Sequence, residues 1–158
     1  MNNSKGGLHM RKFIRILGVI FVLFALTFFL YFNNTSLVNS KTVSFYSQLK
    51  DSLRSRGFHP RLLVISTKRF KFHNEIQVKF SGAAPRSRHL IGDALDFLVF
   101  DVNKDGKSNS EDVDIVYQIL DKIIIKDKGG IGTYKNESSF FNKQMIHIDC
   151  RGYKARWN

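Results

Sequence analysis

Ser87-Arg88-His89-Leu90-Ile91-Gly92-Asp93-Ala94-Leu95-Asp96-Phe97 holds a histidine and an aspartate seven residues apart, with a glycine between them. A turn at Gly92 lets His89 leave one element while Asp96 sits on a strand running Leu95-Asp96-Phe97-Leu98-Val99-Phe100. An imidazole nitrogen and a carboxylate oxygen can then face one ion. Another donor comes near the end of the chain, in Met145-Ile146-His147-Ile148-Asp149. The two-residue period of a strand puts His147 and Asp149 on one face. Two histidines and one aspartate leave the fourth position of a tetrahedral ion open to water, the pattern of a catalytic zinc set. His89, Asp96 and His147 are the expected zinc ligands.

These residues carry a resemblance. Ser-x-His-x-x-Gly-x-Ala-x-Asp over Ser87 to Asp96 is followed by Gly129-Gly130-Ile131-Gly132-Thr133-Tyr134. His-x-Asp-x-Arg-Gly-x-x-x-Arg-Trp then runs from His147 to Trp157. In that order the motifs resemble the zinc D-Ala-D-Ala peptidases and murein endopeptidases of bacterial cell walls, whose fold is shared with the Hedgehog signalling domain. Ser66-Thr67-Lys68-Arg69 and Ala83-Ala84-Pro85-Arg86 resemble the family's Ser-x-x-Arg and its lead-in to the first histidine. The likeness covers roughly residues 60 to 158, and it is specific because several separated motifs agree. It implies an arginine that stabilises the oxyanion or grips the substrate, a role for which Arg69 matches and Arg86 and Arg88 are nearer the metal in sequence. Ser87 either supports a ligand or caps a turn. Some members place a glutamate three residues before the last histidine; here that position is Gln144, and an amide cannot take a proton from water. Other members end His-x-Asp-x-Arg-Gly, as this chain does, so the resemblance makes Asp149 the expected general base, with orientation of a ligand histidine as its other role. Glu137 is the weaker base candidate.

The 158 residues carry 25 Lys and Arg against 13 Asp and Glu, a net charge of +12. Lys5, Arg11, Lys12 and Arg15 lie in the first 32 residues without any acid, so the rest carries +8. After Arg15 the run ILGVIFVLFALTFFLYF has no charge and the length of a bilayer core. Residues 1–12 read as a basic cytoplasmic tail and 13–32 as a single transmembrane anchor. A cleaved signal peptide is the rival, disfavoured by the phenylalanines and by the lack of a small-x-small cleavage site. The remainder would then be exported. Its charge suits an anionic wall polymer or membrane surface, and without a nucleic-acid motif it does not indicate nucleic acid. The single Cys150 excludes an intramolecular disulfide.

Residues 33–42 are polar and read as a stalk before a domain over 43–158. Val43, Tyr46, Leu49 and Leu53 predict a helix over 43–57, stopped at Gly57. Leu62 to Ser66 reads as a buried strand, and Arg69 to Phe80, with partial alternation, as strand or extended loop. Asp101-Val102-Asn103-Lys104-Asp105-Gly106-Lys107-Ser108-Asn109-Ser110-Glu111-Asp112 places oxygen side chains at positions 1, 3, 5, 9 and 12 and glycine at 6 of a calcium loop of the EF-hand or dockerin type. Asp101, Asn103, Asp105, Asn109 and Asp112 would be its ligands, with the Lys107 carbonyl. Ser108 and Glu111 suggest a capping box opening a helix over 111–126. One such loop fits a brace rather than a sensor.

The expected fold is α+β of the Hedgehog and D-Ala-D-Ala-peptidase kind, an antiparallel sheet with flanking helices. The expected function is a membrane-anchored zinc peptidase cutting peptidoglycan stem peptides, as D,D-endopeptidase or carboxypeptidase. The alternative is a catalytically inactive, Hedgehog-like wall-binding module, supported by Gln144. The sequence leaves oligomeric state open.

Overall fold

The computed structural model describes residues 4–32, 34–81, 84–135 and 144–158, in two compact units, Met1–Phe32 and Asn33–Asn158. The first unit is the helix α1, Ser4–Phe32. From Phe13 through Leu26 its large apolar side chains are at least half exposed on all sides. Among the described residues no helix is long and apolar enough to cross a membrane.

The second unit is α+β. In chain order it has α2 (Ser40–Ser55), β1 (Leu62–Ser66), α3 (Lys71–Ser81), β2 (Ala94–Val99), α4 (Ser110–Ile119), β3 (Gly130–Tyr134), β4 (Met145–Asp149) and β5 (Ala155–Trp157). The strands form one sheet in the order β1-β2-β4-β3-β5. Every pairing is antiparallel except β3 with β5. The sheet is mixed, then, rather than antiparallel as expected. After β4 the chain reverses through Gly152 and lands beyond β3, with Ala155 beside Gly130, so β5 runs antiparallel to β4 and therefore parallel to its neighbour β3.

Alternation along the strands divides the sheet into two faces. Leu95, Phe97 and Val99 of β2 and Ile146 and Ile148 of β4 point into the core, where they meet Phe45, Leu49 and Leu53 of α2 and Val113 and Val116 of α4. The intervening residues Asp96, His147 and Asp149 belong to the opposite face. The helix expected over 111–126 is present in two parts, α4 and a π-helical continuation at Leu120–Ile125. Its capping box uses Asn109 and Asp112, one residue along from the Ser108 and Glu111 pair expected.

Three local expectations change. Part of the polar run expected as a stalk is structured within the second unit: Thr35–Leu37 form a 3₁₀ turn, Val38 is buried, and Asn39 caps α2. The buried stripe of α2 is Thr42, Phe45, Leu49 and Leu53, which starts one position earlier than the pattern of Val43 and Tyr46 suggested. The segment expected as strand or loop is the helix α3. There Phe70 and Phe72, which supplied the apparent alternation, are exposed, while Asn74 is buried and Val78 half-buried at helical spacing.

Candidate metal centre

Pairing of β2 with β4 sets Asp96 directly opposite His147. His89 arrives from a 3₁₀ turn, Arg88–Ile91, that ends at Gly92 with φ +77°. A Cβ there would lie 2.7 Å from the Leu37 carbonyl oxygen, so glycine is needed both for the backbone and for the space. Ser87 caps this turn, its Oγ accepting from the His89 N–H at 3.3 Å. Of its two expected roles, the turn cap is the one observed.

His89, Asp96 and His147 form a buried group that can hold a metal ion, with donor atoms all within 4.8 Å of one another. Asp96 Oδ1 lies 2.7 Å from His147 Nδ1 and 3.0 Å from His89 Nε2, and the two nitrogens are 3.3 Å apart. A partner on the far nitrogen fixes the tautomer of His89, while His147 stands between two carboxylates. His89 Nδ1–H donates to the Thr67 carbonyl at 2.5 Å, and His147 Nε2–H donates to Asp149 Oδ2 at 3.2 Å. When His147 is neutral with its proton on Nε2, the two imidazoles turn lone pairs toward the same carboxylate oxygen. Three lone pairs at such distances repel unless a cation lies among them. A tetrahedral ion with bonds of about 2.0–2.1 Å sets its donors about 3.3 Å apart, which the two nitrogens match, while the Asp96 oxygen would move outward by about 0.3–0.6 Å to receive it.

The electrostatics agree. Burial disfavours charge on Asp96, but the adjoining imidazoles outweigh it and hold the carboxyl well below its ordinary range. Burial pushes the His89 imidazole down. For His147 burial acts in the same sense, yet the hydrogen bonds to Asp149 and Asp96 prevail and push it up to about 8. Without metal, a proton on His147 is the cation that relieves the cluster.

Outer residues hold this arrangement. Arg69 Nη2 donates to Asp96 Oδ2 at 2.7 Å, its Nε donates to Ser66 Oγ at 3.0 Å, and its backbone N–H donates to the His89 carbonyl. It thus occupies the second carboxylate oxygen of Asp96 and leaves the first for the metal. Arg88 lies 3.6 Å from Asp93 and Arg86 is exposed, so neither joins the cluster. Asp149 meets His147 at Nε2, the nitrogen away from Asp96. It is fully buried, and its carboxylate also accepts from the Gly130 N–H, the Arg151 N–H and the Arg151 guanidinium. Burial opposes its charge, but these bonds hold it well below the usual range. An acid so committed is a poor proton acceptor and a good orienting group. Glu137 lies outside the described residues. Gln144 turns away from the centre, its Nε2 donating to the Ser108 carbonyl at 2.8 Å.

The Gly-Gly-Ile-Gly strand was legible as a motif but not as a mechanism. A Cβ on Gly132 would stand 2.4 Å from Trp157 Nε1, so the glycine lets the indole lie across β3. The indole ring centre is 5.2 Å from that of His147, and Trp157 Nε1–H donates to the Tyr134 hydroxyl. Trp157, which sequence reasoning left without a role, walls the site. Cys150 is a partly buried thiol raised by burial.

In the 101–112 loop the oxygens mostly serve the loop itself. Asp112 accepts from the N–H groups of Val102, Asn103 and Asn109; Asn103 Oδ1 accepts from Asp105 N–H; and Asp105 Oδ1 accepts from Lys107 N–H. Arg61 pairs with Asp101 Oδ2 at 3.3 Å, while Asp101 Oδ1 is buried without a hydrogen-bond partner. Among the described residues, His89-Asp96-His147 is the one group of three or more histidine, cysteine, aspartate or glutamate side chains converging on a point. No family model, curated protein or solved structure matches the chain.

Proposed function

We propose that this chain is a zinc-dependent peptidase that cleaves peptidoglycan stem peptides, and that its catalytic unit is of the Hedgehog and D-Ala-D-Ala-peptidase kind. The observation that carries this reading is the convergence of three lone pairs from His89, Asp96 and His147, each ligand fixed from behind by Thr67, Arg69 or Asp149. The motif order supplies the substrate class. Zinc, when bound, supplies a Lewis acid and a water of lowered pKa. The chain's own residues do the rest. His89 and His147 present single lone pairs, Asp96 one oxygen, and Asp149 holds His147 in the tautomer that can ligate. Arg69 steadies Asp96 and keeps positive charge beside the reacting carbonyl. Trp157 covers one flank of His147 and excludes water there.

The same reading makes α1 a membrane anchor, supported by apolar side chains exposed on all sides of it and by the basic residues Arg11, Lys12 and Arg15 in its N-terminal half. It makes the 101–112 loop a calcium brace, supported by the buried, unpartnered Asp101 Oδ1.

A second reading, a wall-binding module without hydrolysis, is favoured by one observation: Gln144 replaces an acid and points to the 101–112 loop instead of the metal. Purified peptidoglycan separates the two. The full chain in mild detergent is incubated with it, with chelator and with zinc restored, and products are read by mass spectrometry. Zinc-restorable loss of cross-linked dimers or of terminal D-Ala is expected. No cleavage by folded, zinc-loaded protein selects the binding module.

A further inference from the structure

The pairing of β3 with β4 sets Gly132 opposite His147 and Tyr134 opposite Met145. Tyr134 and His147 are thus diagonal neighbours on one face of the sheet, about 7–8 Å apart and within reach of an aromatic side chain. Between them lies the Trp157 indole, over Gly132, with its ring centre 5.2 Å from that of His147. Its Nε1–H donates to the Tyr134 hydroxyl at 3.1 Å, which brings the phenol oxygen to the indole edge that covers Gly132. An indole nitrogen only donates, so the hydroxyl accepts and keeps its own proton for another partner. Among the described residues it makes no second hydrogen bond, and Tyr134 is only half-buried. A hydroxyl that accepts one hydrogen bond also donates a stronger one. Arg151 fixes the indole in turn, with its guanidinium carbon 4.9 Å from the Trp157 ring centre and its Nε donating to Asp149 at 2.8 Å.

We propose that Tyr134 is a catalytic residue, whose hydroxyl donates a hydrogen bond to the carbonyl oxygen of the scissile peptide bond as negative charge builds there. The other polar groups of the site are already committed. Arg69 has Nη2 on Asp96 and Nε on Ser66, Asp149 serves His147, Gly130 and Arg151, and Gln144 serves Ser108. As a water oxygen bonds to the carbonyl carbon, the π pair of the carbonyl moves onto its oxygen. The phenol meets that oxygen and retains its proton, so its bond is stronger in the transition state than in the bound substrate. The inference rests on the peptidase reading, to which it adds the directional donor for the developing charge.

Tyr134→Phe removes one oxygen and keeps the ring. The zinc-loaded full chain and this variant, both in mild detergent, are compared on soluble muropeptides, cross-linked dimers and pentapeptide monomers. In the variant kcat is expected to fall about 100-fold with KM within about twofold, the pattern of a contact made in the transition state. Calorimetry supplies a readout apart from turnover. A phosphinate analogue of D-Ala-D-Ala, which carries charged oxygens on a tetrahedral centre, should lose affinity by the same factor as kcat/KM, while a cleavage product binds both proteins equally. Zinc affinity, read by competition with a chelator, should not change. Unchanged kcat in Tyr134→Phe overturns the role. So does a loss of zinc affinity that accounts for the lost rate, or equal weakening of phosphinate and product, since either makes Tyr134 a structural or ground-state contact. Trp157→Phe keeps an aromatic wall without the N–H and should show part of the loss in kcat; a full rate there overturns the indole's part in orienting the hydroxyl. A parent that neither cleaves nor binds the phosphinate removes the peptidase reading and Tyr134's role with it. A parent that cleaves, matched by Tyr134→Phe, removes the role alone.

Discussion

His147 is held between two carboxylates, Asp96 at 2.7 Å on one nitrogen and Asp149 at 3.2 Å on the other. That position gives the centre a pH dependence with opposite signs in its two states. In the metal-free protein His147 titrates near 8, above its unfolded value of about 6.5. Its protonated form contributes about 2 kcal/mol, fully present below pH about 6.5 and lost as pH rises through about 8. A bound metal needs the neutral ring, so metal must displace that proton. The rise in Tm on adding zinc to chelated protein is therefore expected to be larger at about pH 8.5 than at about pH 6. Equal rises at both would remove His147 from the ligand set. Asp149→Asn tests the residue behind it. Orientation of His147 predicts metal affinity weaker by about 10–100-fold, read by competition with a chelator, with activity falling in step. Activity lost at unchanged metal affinity would instead return Asp149 to the role of general base.

At the scale of elements, what the sequence disclosed follows from which force positions each residue. β2 and β4 were legible because strict alternation separates Leu95, Phe97, Ile146 and Ile148 from Asp96 and His147, and the core enforces that register. Asp96 and His147 of the candidate ligand set were legible for the same reason, and His89, on a 3₁₀ turn, was legible through the turn at Gly92. α3 was misread because Phe70 and Phe72 mimic a strand period while lying exposed, and its buried position is a polar one, Asn74, which carries no hydrophobic signal. The hold of Arg69 on Asp96 joins residues 27 apart in sequence, and no local pattern encodes it. The 101–112 loop was legible as a loop; its calcium is a proposal with a direct test. Asp101 Oδ1 is a buried acceptor beside backbone already ordered by Asp112. Adding calcium to zinc-loaded protein is expected to raise Tm by a few degrees, roughly the effect of 1–2 kcal/mol in a domain of this size, and Asp101→Asn to abolish that rise. A rise that persists in Asp101→Asn places the ion elsewhere; no rise in the parent leaves the loop a purely hydrogen-bonded turn.

At the scale of the whole molecule the chain is two units with different solvents in prospect. The residues described around the candidate metal group, from Thr67 to Trp157, belong to the second unit, Asn33–Asn158. The first unit shows Phe13, Ile14, Ile16, Leu17, Phe21 and Phe24 to its surroundings without a polar face to hide them. Exposed apolar area of this extent marks contact with lipid or with another apolar surface, and under the anchor proposal the cations Arg11, Lys12 and Arg15, in the N-terminal half of α1, would mark its inward side. Anchoring predicts a division of properties. The full chain should float with neutral phosphatidylcholine vesicles and stay with them through a high-salt wash, because apolar burial, unlike charge attraction, is not screened by salt. A chain beginning at Asn33 should remain in the supernatant and still bind one equivalent of zinc. Full-length protein that the salt wash releases would reduce the first unit to a basic surface contact, and failure of the shortened chain to bind zinc would mean that the metal centre depends on the first unit after all.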